Sequence, residues 1–278
     1  MPRLRRTLAI MNTNEKVWLL TGTSRGFGRR WAEAALRRGD RVAATARNPA
    51  TLDDLVAAHG DAVLPICLDV TDRDAVFDAV RRTTDHFGRL DVVVNCAGYG
   101  HFGAVEELTE QEIRDQLETN FFGALWVLQA ALPVMRSQRS GHLITVTSEG
   151  GVRAYPGIAA YHASKWAVEG LVQSLAQEVR DLGIHVTNIE PGPYATGWLE
   201  SSRHSPRIPA YDHLRNEPTT FEPGDPDATS QALLAVVDAD TPPLRIFFGR
   251  SFEPVRTQYL AQIAEWENWQ ELALTAFA

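Results

Sequence analysis

Three residues in the stretch 148–165, Ser148, Tyr161 and Lys165, have the types and spacing to move a proton. Tyr161 and Lys165 are four apart, so on a helix they share a face, with Cβ atoms about 5–6 Å apart. A phenol with a pKa of about 10 is a poor base near neutrality. A nearby ammonium favours the phenolate and lowers that value, towards the range where acid–base catalysis is efficient. Ser148, thirteen residues ahead of Tyr161, could hydrogen-bond a substrate oxygen held by the pair. A Tyr four before a Lys also occurs on ordinary helix surfaces, so the reading depends on the elements that would bring the three together.

Pro156 and Gly157 break the chain, and IAAYHASKWAVEGLVQSLAQEVRDL then carries apolar residues at helical spacing up to Gly183. GHLITVTSEGG reads as a strand with Ser148 at its carboxyl end. Thr147 is a competing hydroxyl, and Glu149 is either a solvated turn residue or a substrate contact. Upstream, LTEQEIRDQLETNFFGALWVLQAALPVM predicts one long helix opened by a Thr109–Glu112 capping box. Pro133 is expected to kink or interrupt it near its end. Asn120 falls well inside this helix, where its side chain competes with the backbone.

Nearer the amino terminus, KVWLLTGTSRGFGRRWAEAALRRGD reads as a strand from Val17 to Leu20, a glycine-rich turn, and a helix over Arg29 to Arg38 stopped by Gly39. Gly22, Gly26 and Gly28, with Ser24, Arg25 and Phe27 between them, let the backbone turn sharply and approach a pyrophosphate without Cβ interference. The helix start offers free N–H groups and the positive end of its dipole to the phosphates. RVAATAR predicts a second strand, Arg41 to Ala46. At the end of this strand a dinucleotide fold meets the adenosine ribose, where an acid binds the 2′-hydroxyl of NAD and arginine suits the 2′-phosphate of NADP. The chain has Ala46 and Arg47 there and no acid, and Arg25 could reach the same phosphate. NADP(H) is therefore expected rather than NAD(H).

The alternation continues with a helix over 51–59, a strand AVLPICLDV ending at Asp69, a helix opened by TDRD with Thr71 as N-cap and stopped at Gly88, and the apolar strand LDVVVNCAG. Strands separated by helices make a parallel sheet covered on both faces through right-handed crossovers. Asn95, Ala97 and Gly98 follow at a carboxyl strand end, where open α/β sheets bind ligands.

TGTSRGFG, LDVTD, NCAG, YHASK and PGPYAT stand in the order and spacing of the short-chain dehydrogenase/reductase family, which the chain resembles from about Val17 to Thr196. The resemblance implies an α/β, single-domain Rossmann fold over 1–278, a doubly wound parallel sheet of about seven strands with helices on both faces. It also implies hydride transfer between a nicotinamide and a ketone or secondary alcohol. Tyr161 would give or take the proton, Ser148 would orient the carbonyl, and Lys165 would lower the Tyr161 pKa and hold the nicotinamide ribose. Asn120 would distort its helix and hold a water leading to Lys165. Asp69 and Val70 would flank the adenine, and Asn95 to Gly98 would line the cofactor. Pro191, Gly192 and Thr196, after a sixth strand, would lie beside the nicotinamide. Thr147, where the family often has a second Ser, and Glu149, where a small residue is common, are departures.

At 278 residues and 44% hydrophobic the chain can fill a large core, and its net charge of −8 argues against a nucleic-acid surface. No apolar run reaches membrane-span length, and the apolar part of MPRLRRTLAI is too short for a signal peptide; a cytoplasmic protein is expected. Residues 1–14 read as a loosely attached arm, with Met11 as an alternative start. Cys67 and Cys96 read as buried free thiols. No His/Cys cluster has metal-ligand spacing, so no metal is expected. His101 and His162 read as ordinary loop and helix residues.

Residues 197–223 lack periodicity and read as a substrate loop within the domain. Trp198, Leu199 and Tyr211, with Phe102, Tyr155 and Tyr194, would give an aromatic pocket for a bulky hydrophobic carbonyl or alcohol. A helix capped by Asp225, a last strand LRIFFG and a C-terminal helix with Trp266 and Trp269 on one face complete the chain. That face would pack on the body, reach the substrate site or meet a second subunit. The resemblance implies a homodimer or homotetramer through the long helices starting near 110 and 159. A nucleotide-sensing protein without catalysis is the alternative, against which the set Asn120, Ser148, Tyr161 and Lys165 argues.

Overall fold

The computed structural model describes residues 15–216 and 222–277; the arm predicted for 1–14, and 217–221 of the predicted substrate loop, lie outside them. Strands β1 (Val17–Leu20), β2 (Arg41–Ala46), β3 (Val63–Cys67) and β4 (Val92–Asn95) alternate with helices α1 (Gly26–Arg38), α2 (Asp53–His59) and α3 (Arg73–Phe87). Next come β5 (His101–Phe102), α4 (Glu110–Leu117), α5 (Gly123–Gln138), β6 (Gly141–Val146), α6 (Ala159–Glu178) and β7 (Ile184–Pro191). The last third adds α7 (Trp198–Ser201), β8 (Arg203–His204), α8 (His213–Asn216), α9 (Thr229–Asp238), β9 (Arg245–Phe248) and α10 (Phe252–Thr275).

Seven strands form a parallel sheet in the order β3-β2-β1-β4-β6-β7-β9. The order runs outward from β1 in both directions, so the carboxyl ends of β1 and β4 flank the topological switch point where such sheets bind ligands. One face buries Val17, Leu19 and Val93 under α3, α5 and α6. The other buries Trp18, Leu20 and Val94 under α1, α2 and α9. Alternate residues of one strand thus feed two cores, which is why β1 and β4 read as unbroken apolar runs.

Several local expectations change. α1 begins at Gly26 rather than Arg29. The N-cap of α3 is Asp72, accepting from the Ala75 N–H, not Thr71; the Asp69 carboxylate takes both the N–H and the hydroxyl of Thr71, at 3.0 and 2.8 Å. The long helix is two helices joined by a π-helical turn, Glu118–Phe122, centred on Asn120. Pro133 does not interrupt α5, which continues to Gln138 because Ala130, Ala131 and Met135 around it are buried, and that packing outweighs the roughly 3 kcal/mol cost of an internal proline. Cys67 is exposed, since it ends β3 at the sheet edge; Cys96 is half-buried.

Residues 197–216 are also more ordered than their composition predicts. β8 pairs with β5, the His101 ring bonds Ser205 at 2.9 Å, and buried Glu107 accepts the Ile208 N–H at 2.7 Å and binds Arg215. Those bonds, Arg215 above all, hold the Glu107 carboxyl down to about 2. The order comes from polar pairing across about 100 residues rather than from a periodic stripe, so no pattern in the segment announces it.

Candidate active site

The glycine turn after β1 is built from backbone. Gly22 and Gly26 have φ of 71° and 60°, in the left-handed region where a side chain is strained. A Cβ on Gly28 would stand 2.5 Å from the Gly22 carbonyl oxygen, and one on Gly22 would stand 3.0 Å from Ala97 Cα. The turn thus closes on itself and on the segment after β4. Arg25 precedes α1 without a side-chain cap, and no acid lies in the first helical turn, so the N-cap side chain takes none of the N–H groups and the dipole is unopposed. Such a cradle fits a pyrophosphate. Ser24 and Arg25 are exposed and Phe27 stacks on Trp31 at 5.2 Å. Thr196 lies 3.4 Å from where a Gly26 Cβ would stand, so the segment after β7 covers the turn.

The remaining predicted cofactor residues ring the same strand ends. Asn95 donates to the Ala124 carbonyl at 3.1 Å, and the Ala97 N–H donates to Thr21 Oγ1 at 3.0 Å. Val70 is buried, its Cγ2 2.8 Å from a Cβ built on Gly123. Pro191 pairs with Phe248, and the Gly192 N–H donates to the Phe248 carbonyl at 3.0 Å. Arg47 is exposed just beyond β2, and no acid replaces it there.

The proton-handling group gathers at the start of α6. Lys165 is buried and its Nζ donates to the Val146 carbonyl at 2.8 Å. Tyr161 is buried beside it, with Nζ 5.8 Å from the ring centroid. The Ser148 hydroxyl accepts from the Gly150 N–H at 2.9 Å and offsets part of the rise in the Tyr161 pKa. Thr147 is excluded as the active hydroxyl, because it is buried and donates to the Ile189 carbonyl. A Cβ on Gly98 would lie 3.1 Å from Asn120 Oδ1 and 3.6 Å from Lys165 Nζ. The backbone that closes on the glycine turn therefore also touches the catalytic candidates.

Asn120 is 2% exposed and fully engaged. It accepts from the Tyr99 N–H at 3.1 Å and donates to the Tyr99 carbonyl and to Ser164 Oγ, both at 3.0 Å. Ser164 in turn donates to the Tyr161 carbonyl at 2.7 Å. The π-helical turn turns this amide inward and ties the loop after β4 to α6.

The electrostatics correct one expectation. Burial pushes the Tyr161 phenol up to about 12, with Ser148 pulling it back and Glu149 adding to the rise. Lys165 does not lower it, because its ammonium is directed at Val146 and is itself pushed down to about 8 by burial. The phenol is therefore a protonated acid across the neutral range.

Of the predicted aromatic pocket, Trp198 packs edge-on to Tyr161 at 5.1 Å and to Phe102 at 5.8 Å. A Cβ on Gly100 would collide with the Trp198 ring. Tyr155 lies over His162 at 5.5 Å. Three members fall elsewhere: Tyr194 packs on Phe27 beside α1, Tyr211 bonds Glu106, and Leu199 is exposed. Two residues of the site escaped sequence reading. His162 donates through Nδ1 to the Gly150 carbonyl at 2.7 Å and accepts the Tyr155 N–H at Nε2, pinning the loop after Ser148, and Ser164 buttresses Asn120. Only their place in YHASK marks them. Among the described residues no group of His, Cys, Asp or Glu could hold a metal, and no helix is long and apolar enough to cross a membrane.

The short chain dehydrogenase family model matches residues 16–207. An oxidoreductase of Botryotinia fuckeliana (strain B05.10), BOA17, is 40% identical over 275 residues, covering 94% of this chain and 99% of that protein. A crystal structure of a short-chain dehydrogenase from Streptomyces avermitilis superposes with a TM-score of 0.88 at 38% identity, covering 94% of this chain and 99% of the other. An alcohol dehydrogenase from Thermococcus sibiricus, complexed with 5-hydroxy-NADP, gives a TM-score of 0.72 at 28% identity, covering 84% and 96%. With the parallel sheet, the glycine cradle and Ser148 beside the buried Tyr161 and Lys165, the chain belongs to the short-chain dehydrogenase family of oxidoreductases.

Proposed function

We propose that this oxidoreductase reduces a bulky hydrophobic ketone with a preference for NADPH, in the cytoplasm, as a single domain. The observation that carries the reading is the meeting of Lys165 and Asn120 at the Gly98 backbone, one residue past the Ala97 that abuts the glycine turn, with Tyr161 beside Lys165. When bound, the nicotinamide supplies the hydride to the carbonyl carbon. Ser148 hydrogen-bonds the carbonyl oxygen and orients it. Tyr161, held protonated by burial, gives its proton to the oxygen as negative charge develops there. Lys165, one helical turn from Tyr161, would hold the nicotinamide ribose, while Asn120 fixes the loop and helix between which a water relay to Lys165 would run. A phenol held at about 12 rests in the protonated form near neutrality, which is the form that reduction consumes. Trp198, Phe102 and Tyr155 supply the apolar wall against which a bulky substrate would lie. Arg47, with Arg25, supports the NADP preference.

The test is NADPH oxidation against a panel of bulky ketones, beside Tyr161→Phe. The variant should lose turnover by about 10²–10⁴-fold while still quenching or enhancing NADPH fluorescence on binding. Undiminished turnover would refute the assigned acid. Cofactor binding without turnover in the wild-type chain on every carbonyl tried would favour a sensing role.

A further inference from the structure

α10 leaves the body after Val255, its only buried residue, and from Leu260 to Phe277 every residue except the half-buried Gln262 is exposed. Helices in proteins draw most of their stability from packing an apolar face. This one, 24 residues and about 36 Å long, has such a face with no cover among the described residues. Phe252, Val255, Tyr259, Ile263 and Trp266 follow one another at spacings of three and four; Trp266 is 67% and Trp269 62% exposed. At its root the stripe runs into a groove of about 340 Å³ walled by Phe247, Phe252, Val255, Tyr259 and Leu260.

The charges along the helix are segregated. Arg256 and, just before the helix, Arg250 stand at the root, with Glu253 the one acid there. Glu265, Glu267 and Glu271 stand in the distal half, where no basic residue follows. An acidic apolar helix is ill suited to an anionic bilayer or to nucleic acid.

We propose that α10 is the surface through which two copies of this chain associate, the helices packing antiparallel about a two-fold axis near Ile263. A two-fold contact is self-complementary, and residues equally far on either side of Ile263 then face each other. Leu260 meets Trp266 of the second copy, Arg256 lies between its Glu267 and Glu271, and its Trp269 reaches the rim of the groove. Parallel packing would instead set acids against acids. Standard interfaces bury on the order of 800 Å² per partner, and a helix of this length with two tryptophans of roughly 150–250 Å² each and a groove beneath offers that scale of area.

The experiment is sedimentation equilibrium of the full chain over a concentration series. Ile263→Glu/Trp266→Glu should halve the wild-type mass while leaving the far-ultraviolet circular dichroism and melting of the body intact, because neither site touches the core. Arg256→Glu should raise the dissociation constant by about tenfold or more, and adding Glu267→Arg/Glu271→Arg should restore it, an outcome that a folding defect would not produce. Equal masses for the wild type and the double variant would overturn the proposal, as would failure of the charge swap to restore association. A wild-type chain that is monomeric and co-sediments with phosphatidylcholine vesicles would assign the face to a bilayer and equally overturn it.

Discussion

Tyr161 and Lys165 are both withdrawn from water, and each responds by moving towards its neutral form: the phenol rises to about 12 and the ammonium falls to about 8. Desolvation disfavours charge of either sign, and here it outweighs the mutual attraction on which a purely local reading of the Tyr–Lys spacing relies. Arg47 presents the opposite situation, an exposed guanidinium at the end of β2 with no acid in the place where the 2′-hydroxyl of NAD would be bound. A charge-assisted contact of about 1.5–3 kcal/mol implies that Arg47→Asp will raise the KM for NADPH by about 10–100-fold while that for NADH falls or holds. Steady-state constants for both cofactors check this; equal wild-type constants would remove its basis. That position was legible in the sequence because strand length alone brings residue 47 to the carboxyl end of β2. The upward shift of Tyr161 was not, since it comes from burial of the ring, against which Trp198 packs.

The π-helical turn between α4 and α5 is the element that most shapes the site. It spends regular helix geometry to aim Asn120 at Tyr99 and Ser164, and such bulges recur where function needs one residue turned inward. Asn120→Ala would leave the Tyr99 N–H without its partner and take one bond each from the Tyr99 carbonyl and Ser164, which keep those to Gln116 and the Tyr161 carbonyl. The expected loss is roughly 2–4 kcal/mol of stability, together with reduced turnover. Denaturant midpoints measure it, and a change under about 0.5 kcal/mol would show that the amide is dispensable to the turn. The Thr109–Glu112 capping box and the Gly39 and Gly88 stops were readable, because caps are local hydrogen-bond arithmetic. The break at 118–122 is not in the local pattern, because it is imposed by partners on α6 and after β4; only the family resemblance implied that Asn120 distorts its helix.

At the scale of the molecule, the far edge of the sheet carries a buried polar cluster that no strand or helix pattern revealed. Glu169 of α6 accepts from Asn188 at 2.8 Å and binds Arg245 at 2.8 Å, while Glu190 of β7 lies 3.1 Å from the same guanidinium. Burial, with Glu169 adding repulsion, pushes the Glu190 carboxyl from 4.5 up to about 7. In the folded chain Glu190 therefore keeps its proton over a range where the unfolded chain has lost it. Its contribution to stability is present below about 4.5 and is lost as pH rises through about 7. Unfolding free energies of the wild type should fall by on the order of 1–3 kcal/mol between those values relative to Glu190→Gln. Parallel pH profiles of the two proteins would sink the assignment.

Local pattern was enough to tell the order of strands and helices, the parallel sheet, the glycine turn and the spacing of Ser148, Tyr161 and Lys165. Each of these follows from residues within a few turns of one another and from a hydrophobic period. Contact between distant segments decided the rest. The spacing favoured Ser148 over Thr147, and the fold adds that the Thr147 hydroxyl is taken by the Ile189 carbonyl of the neighbouring strand. The predicted irregular loop became an anchored lobe because Glu107, Glu112 and His101 reach it from about 100 residues away. The protonation of the Tyr161 phenol was likewise decided by its enclosure, since burial is a property of the packed chain that spacing along it does not encode.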